Sequence, residues 1–474
     1  MIRKISAAFL SAALGAMAVT GAATANHHGL TPEQAKAREI YETVIGMRTA
    51  KGHGNVPAMA AYLASELKAA GFADDDMEII PSRETAAFTL RYRGDGSSGA
   101  KPVLFLAHMD VVDAKREDWE HDPFTLREED GLFLGRGVAD NKYGVVNLTQ
   151  TFMRLKQEGF VPTRDLILVF TGDEETDMAT TRMMAFGRED LAEAEFALNS
   201  DAGGGAYTED GVVLPYDMQA AEKTYATFNV IARNPGGHSS RPRPDNAIYD
   251  LARALLAIEG YAFPVMANKI TRAYARAAAF NIGGDIGDAL AKFADDPTNK
   301  KAIKTLRADS GASNMLSTTC VATMLDGGHA ENALPQSAVA TVNCRIFPGV
   351  EIDSVRETLV KVIDNEALEV VQSDERFVSS PASEPRADVN AALSAAIRVR
   401  YPDSEIVPSM SSGGTDGMHF RRAGIPTFGA SGRFVPHGYR SNAHGLNESL
   451  PVSTFYEGLD HWINLIKALA GPVE

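Results

Sequence analysis

Three short runs of uninterrupted apolar residues, each leading into an acid or an imidazole, constrain this chain more than any other feature. Val103-Leu104-Phe105-Leu106 runs into His108, Leu166–Phe170 into Asp173-Glu174-Glu175, and Phe196-Ala197-Leu198 into Asp201. A strand that is apolar at every position is covered on both faces. Between the first two runs, Lys142–Glu158 sets Val145, Leu148, Phe152 and Leu155 at helical spacing. Buried strands alternating with helices predict an α/β fold with a mostly parallel sheet. Ligands of such sheets bind beyond the carboxyl ends of the strands. The acids and the imidazole stand there.

His108, Asp110, Asp140, Glu174, Glu175, Asp201 and the distant His444 are the residue types that a pair of zinc ions takes as ligands, with one carboxylate to spare as a base. Residues two apart on an extended segment point the same way. Asp110 is therefore expected to accept a hydrogen bond from the His108 ring nitrogen that does not hold metal. Asp140 closes a glycine-rich turn, Gly135 to Asp140, that leads into a helix. It reads as a plain helix cap or as a carboxylate bridging two cations. The turn lacks the Gly-Lys-Ser/Thr ending of a phosphate loop. Adjacent carboxylates repel unless cations sit among them. A solvated acidic cluster is the ordinary reading of Asp173-Glu174-Glu175, but an apolar strand precedes it, so a cleft floor is expected. Glu175 is assigned as a ligand and Glu174 as the general base. Asp201 ends the next strand, and His444 lies within Ser441–Glu448, after the last strand.

Near Ala220 the texture changes. Tyr225–Ile231, Thr318–Leu325 and Ala338–Ile346 alternate apolar with polar residues, as half-exposed antiparallel strands do. Ala247–Ile258 and Val355–Ile363 read as helices, and 260–312 is Ala-rich and helical. An α+β domain over 221–376 is expected, inserted in a catalytic domain made of 26–220 and 377–474. Residues 1–25 read as a signal peptide: Arg3 and Lys4, an apolar run from Ile5 to Val19, then Ala23-Thr24-Ala25. The competing reading, a membrane anchor, needs a longer run than this one. Cleavage would leave a periplasmic or secreted protein with no membrane span. In an oxidising compartment Cys320 and Cys344 either pair or remain as two buried thiols. The formal net charge of -16 argues against nucleic acid or an anionic membrane as the main partner.

Taken together, His-Met-Asp-Val-Val at 108–112, Trp119 with Asp122-Pro123-Phe124, Gly-Arg-Gly-Val-Ala-Asp-Asn-Lys at 135–142, Gly-Asp-Glu-Glu at 172–175 and Asn-Ala-His-Gly-Leu-Asn-Glu at 442–448 resemble the two-zinc family of glutamate carboxypeptidase, aminoacylase, carnosinase-type dipeptidases and succinyl-diaminopimelate desuccinylase. The resemblance implies that Asp140 bridges two zinc ions, that His108 and Asp201 complete one site, and that Glu175 and His444 complete the other. It implies Glu174 as base and Asp110 as orienting carboxylate. It implies that the inserted domain is a lid that also dimerises, with His238 reaching the partner subunit's active site. Asn332 and Arg345 match residues that hold substrate, and Gly414 and Thr415 match a pocket-lining loop. The resulting expectation is an exported zinc carboxypeptidase or dipeptidase that cuts an amide beside a free carboxylate. An N-acyl-amino-acid amidohydrolase with the same metal chemistry is the alternative, and a metal-binding protein without catalysis a more distant one.

Overall fold

The computed structural model describes residues 29–374 and 376–472. The signal-peptide reading of 1–25 lies outside the described residues. The largest sheet has eight strands, in the order Met77–Ser82, Thr85–Tyr92, Leu166–Thr171, Val103–His108, Phe196–Asn199, Thr427–Gly429, Tyr216–Glu222, Ile406–Ser411. Its centre is parallel: Val103–His108 pairs in parallel with both Leu166–Thr171 and Phe196–Asn199, and the latter with Thr427–Gly429. The two outermost strands on the Met77 side are antiparallel.

The continuous apolar runs are explained by two cores, one on each face. Val103, Phe105, Leu166, Leu168 and Phe170 join a core with helices Pro32–Gly46, Val56–Ala69, Lys142–Gln157 and Val452–Ala470. Leu104, Leu106, Ile167 and Val169, the alternate residues, join a second core with helices Ala179–Gly187 and Gly417–Arg422. The first helix starts as its sequence demands. Thr31 accepts from the Gln34 N–H, Gln34 answers the Thr31 N–H, and Pro32 opens the helix.

The chain leaves the large sheet at Glu222 and, after Lys223 alone, enters a second sheet. Its four antiparallel strands run in the order Thr319–Gly327, Ser337–Ile346, Thr224–Arg233, Leu368–Gln372. Thr224–Arg233 alternates buried and half-buried residues. The buried side packs on helices Ala247–Gly260 and Ile352–Ile363. Cys320 faces Cys344 across this sheet, and the two form a disulfide. The Ala-rich stretch becomes helices Lys269–Ile282, Gly284–Asp295, Lys300–Ala308 and Ser310–Ser313. They build their own core, and Met410 of the outermost large-sheet strand packs against it. Among the described residues no helix is long and apolar enough to cross a membrane.

Candidate active site

The sheet delivers its ends to one place. His108 is the last residue of its strand, Glu174 and Glu175 follow Leu166–Thr171 by a short loop, and Asp201 lies two residues past Asn199. Asp140 comes from the glycine-rich turn and His444 from the loop before Ser449–Pro451. His108 Nε2 lies 3.0 Å from Asp140 Oδ1 and 3.6 Å from Asp201 Oδ1. His444 Nε2 lies 3.1 Å from Asp140 Oδ2 and 2.9 Å from Glu175 Oε2. Thus one oxygen of Asp140 faces each imidazole. Two groups result, His108–Asp140–Asp201 and Asp140–Glu175–His444, and within each the ligand atoms lie within 4.8 Å of one another.

The residues present fit a pair of cations. Three carboxylates and two imidazoles converge here, and Glu175 Oε1 is buried with no hydrogen-bond partner, which a cation would satisfy. Burial lifts the Glu175 carboxyl to about 7, against the pull of His444. Burial, with Asp201, Asp416 and Glu175 nearby, also raises Glu174 well above the carboxylate range. Asp201 is raised by burial and by the Asp140 charge. Asp140 goes the other way: burial works against it, but hydrogen bonds from His108 and His444 hold it below the usual range. Hydrogen bonds to Asp140 and Glu175 lift His444 to about 10. Carboxylates forced up in the protein alone are groups that a cation would return to the charged form.

The neighbouring contacts correct one expectation. The His108 Nδ1 hydrogen bond goes to the backbone carbonyl of Asp110 at 3.1 Å, while the Asp110 carboxylate stands 3.6 Å away. That carboxylate instead accepts the N–H groups of Glu174 and Glu175, both at 3.1 Å. Asp110 therefore orients the histidine through its backbone and the two glutamates through its side chain. The strand ends at His108, so the extended geometry that would align residues 108 and 110 no longer applies. The cap of helix Lys142–Gln157 is likewise not Asp140. Asn141 accepts the Gly144 N–H at 3.2 Å, which leaves Asp140 free to point into the site. The Asp140–Asn141 peptide is cis. Gly137 is required where it stands: its φ is +87°, and a Cβ there would lie 2.9 Å from Val111 Cγ1. Lys142 is fully buried and donates to the Val44 and Met47 carbonyls, so it ties this turn to the end of the first helix.

The substrate-contact candidates divide. His238 and Asn332 are exposed. They belong to one small ribbon, in which Gly237–His238 pairs with Ala333–Leu334 and the Ser239 N–H donates to the Asn332 carbonyl. Arg345 lies over the Tyr225 ring at 4.7 Å and donates to the Ser412 carbonyl at 2.9 Å, so it reaches the glycine-rich loop from the second sheet. Gly414 is half-buried in that loop. Thr415 is not available as a pocket-lining hydroxyl: it is buried, and its Oγ1 donates to Glu222 at 3.2 Å. The sequence assigned no role to Asp416, which follows Thr415 directly, or to Glu448, which closes the motif at 442–448. Asp416 is buried and accepts from Thr171 and Thr181.

Acids and imidazoles gathered at the carboxyl ends of a parallel sheet, around a shared aspartate, define a metallohydrolase. The model of peptidase family M20/M25/M40 matches residues 104–468, and the chain belongs to that family. Probable carboxypeptidase S-like 2 of Dictyostelium discoideum is 24% identical over 403 residues, covering 81% of this chain and 74% of its own. Aminoacylase-1 of Sus scrofa is 24% identical over 444 residues, covering 91% and 94%. Among solved structures, the M20 metallo-carboxypeptidase Sso-CP2 of Sulfolobus solfataricus superposes with a TM-score of 0.70 at 17% identity, covering 93% of this chain and 99% of its own. The chain shares their fold, and its activity lies among the peptidases and amidohydrolases of the family.

Proposed function

We propose that the protein is an exported zinc-dependent carboxypeptidase or dipeptidase that hydrolyses an amide next to a free carboxylate. The observation that carries this reading is the Asp140 carboxylate, with one oxygen on each of two ligand groups and Glu174 on the adjoining loop. His108 and Asp201 would hold one zinc ion, Glu175 and His444 the other, and Asp140 both. When bound, such a pair polarises the scissile carbonyl and acidifies a water. Glu174 takes the proton of the attacking water and passes it to the leaving amine nitrogen. Asp110 keeps the Glu174 backbone in place through two N–H bonds to the loop. Arg345, with guanidinium donors beyond the one bound to Ser412, is the cation for the substrate carboxylate.

His238 would contribute from a second subunit, which requires a dimer. The strand Thr319–Gly327 supports one: it is an edge of its sheet, and Met324 and Leu325 on it are both 69% exposed. Tyr249 and Leu256 on the adjacent helix Ala247–Gly260 are exposed as well. An apolar open edge of this kind invites a second copy. An N-acyl amino acid is the alternative substrate, favoured by the coverage of the aminoacylase-1 match. Both substrates carry the same carboxylate beside the amide.

The test is a panel of dipeptides, longer peptides and N-acyl amino acids, assayed after chelation and after return of Zn2+. Glu174→Gln is expected to lower kcat by about 10²–10⁴ while the protein still binds two ions. Turnover that ignores chelation, together with an active Glu174→Gln, refutes the reading. The starting residue of the protein recovered outside the cytoplasm tests export, and its mass in solution tests the dimer.

A further inference from the structure

Among the motif residues left without a role, Glu448 gathers four donors on its carboxylate. It is fully buried. Its Oε1 accepts the Ala139 and Asp140 N–H groups at 2.8 and 3.1 Å. Its Oε2 accepts the Gly137 N–H at 3.0 Å and Arg136 Nη1 at 2.7 Å. Arg136 Nη2 in turn donates to the Gly445 carbonyl at 2.9 Å, next to His444. The Glu448 carbonyl accepts the Gly135 N–H at 3.1 Å. The Trp119 ring covers the guanidinium at 5.2 Å.

These contacts join two loops that are otherwise unrelated in sequence. One carries Asp140, the shared ligand, and the other carries His444. Neither ligand stands on a strand, whereas His108 ends one and Asp201 follows one closely. The His444 side chain is 56% exposed, and residues 442, 444 and 447 all have positive φ. Such a loop has little of its own to hold an imidazole in place. Backbone N–H groups clustered around a buried carboxylate, with a guanidinium on the same oxygen, make a fixed joint.

We infer that Glu448 is a positioning residue that clamps the Asp140 turn to the His444 loop and so fixes the spacing of the second ligand group, Asp140–Glu175–His444. The inference rests on the two-ion reading above. A glutamine at 448 keeps the shape but presents an N–H2 to backbone N–H groups or to Arg136. At least one donor then loses its acceptor, and the two loops are free to part. The first group keeps His108 and Asp201 near their strands, so the loss falls mainly on the second.

The experiment titrates chelator-stripped protein with Zn2+ against a competing chromogenic chelator, alongside thermal melting. Wild type is expected to take two ions. E448Q is expected to hold the second about 10–100-fold more weakly, the range seen when outer-shell partners of metal ligands are removed, with the first little changed. R136K, which keeps the charge but cannot bridge Glu448 and Gly445 together, is expected to show the same unequal loss in smaller measure, and it carries the test if E448Q does not fold. Two ions bound with wild-type affinities by a folded E448Q, or by R136K in its place, overturn the inference. So does an equal weakening of both ions, which marks a general structural role. Wild type that takes fewer than two ions fails the two-ion reading itself, and the clamp with it.

Discussion

The disulfide offers the most quantitative perturbation. Cys320 lies near the start of the exposed edge strand Thr319–Gly327, and Cys344 adjoins Arg345 on the strand Ser337–Ile346. The bond closes a loop of sequence separation 24. Chain entropy gives such a crosslink about 3.5 kcal/mol at 25 °C when the loop opens fully. That is about 2.5 decades in an opening equilibrium, or roughly a 300-fold change in amide protection where exchange follows that opening. Cys320→Ala breaks the crosslink without enlarging the core, because Cys320 is only partly buried while Cys344 is fully buried. The assay is hydrogen exchange followed by mass spectrometry on peptides covering 319–327 and 337–346, in chelated wild type and variant. Protection of both segments is expected to fall by about two orders of magnitude, with peptides from Val103–His108 unchanged. The double variant with Cys344→Ala should add only the smaller effect of the missing core sulfur. A change below about threefold on the edge strand would refute the reasoning, since it would mean that hydrogen bonds and the apolar face hold this strand without the crosslink.

Acid sensitivity is expected from His419, which is fully buried with neither ring nitrogen bonded and which burial pushes down to about 4. Its folded pKa lies below the unfolded one, so the unfolded chain binds more protons between pH 6.5 and 4, and stability falls as pH drops through that window. In urea unfolding of the chelated protein, His419→Phe should lose about 2 kcal/mol less than wild type between pH 7.5 and 5.0; an equal loss contradicts it. Gly458 sits where helix Val452–Ala470 meets helix Lys142–Gln157, and a Cβ there would lie 2.3 Å from Tyr143 Oη and 2.4 Å from Asn147 Oδ1. Gly458→Ala should cost about 1–3 kcal/mol by overpacking, read by the same unfolding method, and unchanged stability would show that the two helices can shift apart.

The apolar strands made the large sheet and the place of its ligands legible, because an unbroken apolar run is explained only by cover on both faces, and acids beyond such runs stand at the sheet's ends. Asp140 was legible as a helix cap or as a bridging carboxylate, and the neighbouring Asn141 takes the cap. The orientation of Asp110 was not legible, since the alternation rule stops where the strand stops, one residue after which the chain is already a loop. Nor was the seat of the 260–312 helices. Their amphipathic pattern marks an inner face but not the surface it meets, and Met410, which they meet, lies about a hundred residues downstream. Glu448 was visible as a letter in a motif, but its partners at 136–140 are brought to it only by the closed fold.

The six groups that would grip the ions and move the proton enter the chain at widely separated points, and the last of them, His444, precedes the final helix by only a few residues. A polypeptide still being synthesised therefore owns most of a metal centre long before it owns all of one. On that reading, tight capture of both ions would have to wait for the loop that carries His444, so a bound pair would mark molecules folded past that loop, and chains cut before it would keep the His108–Asp140–Asp201 group alone.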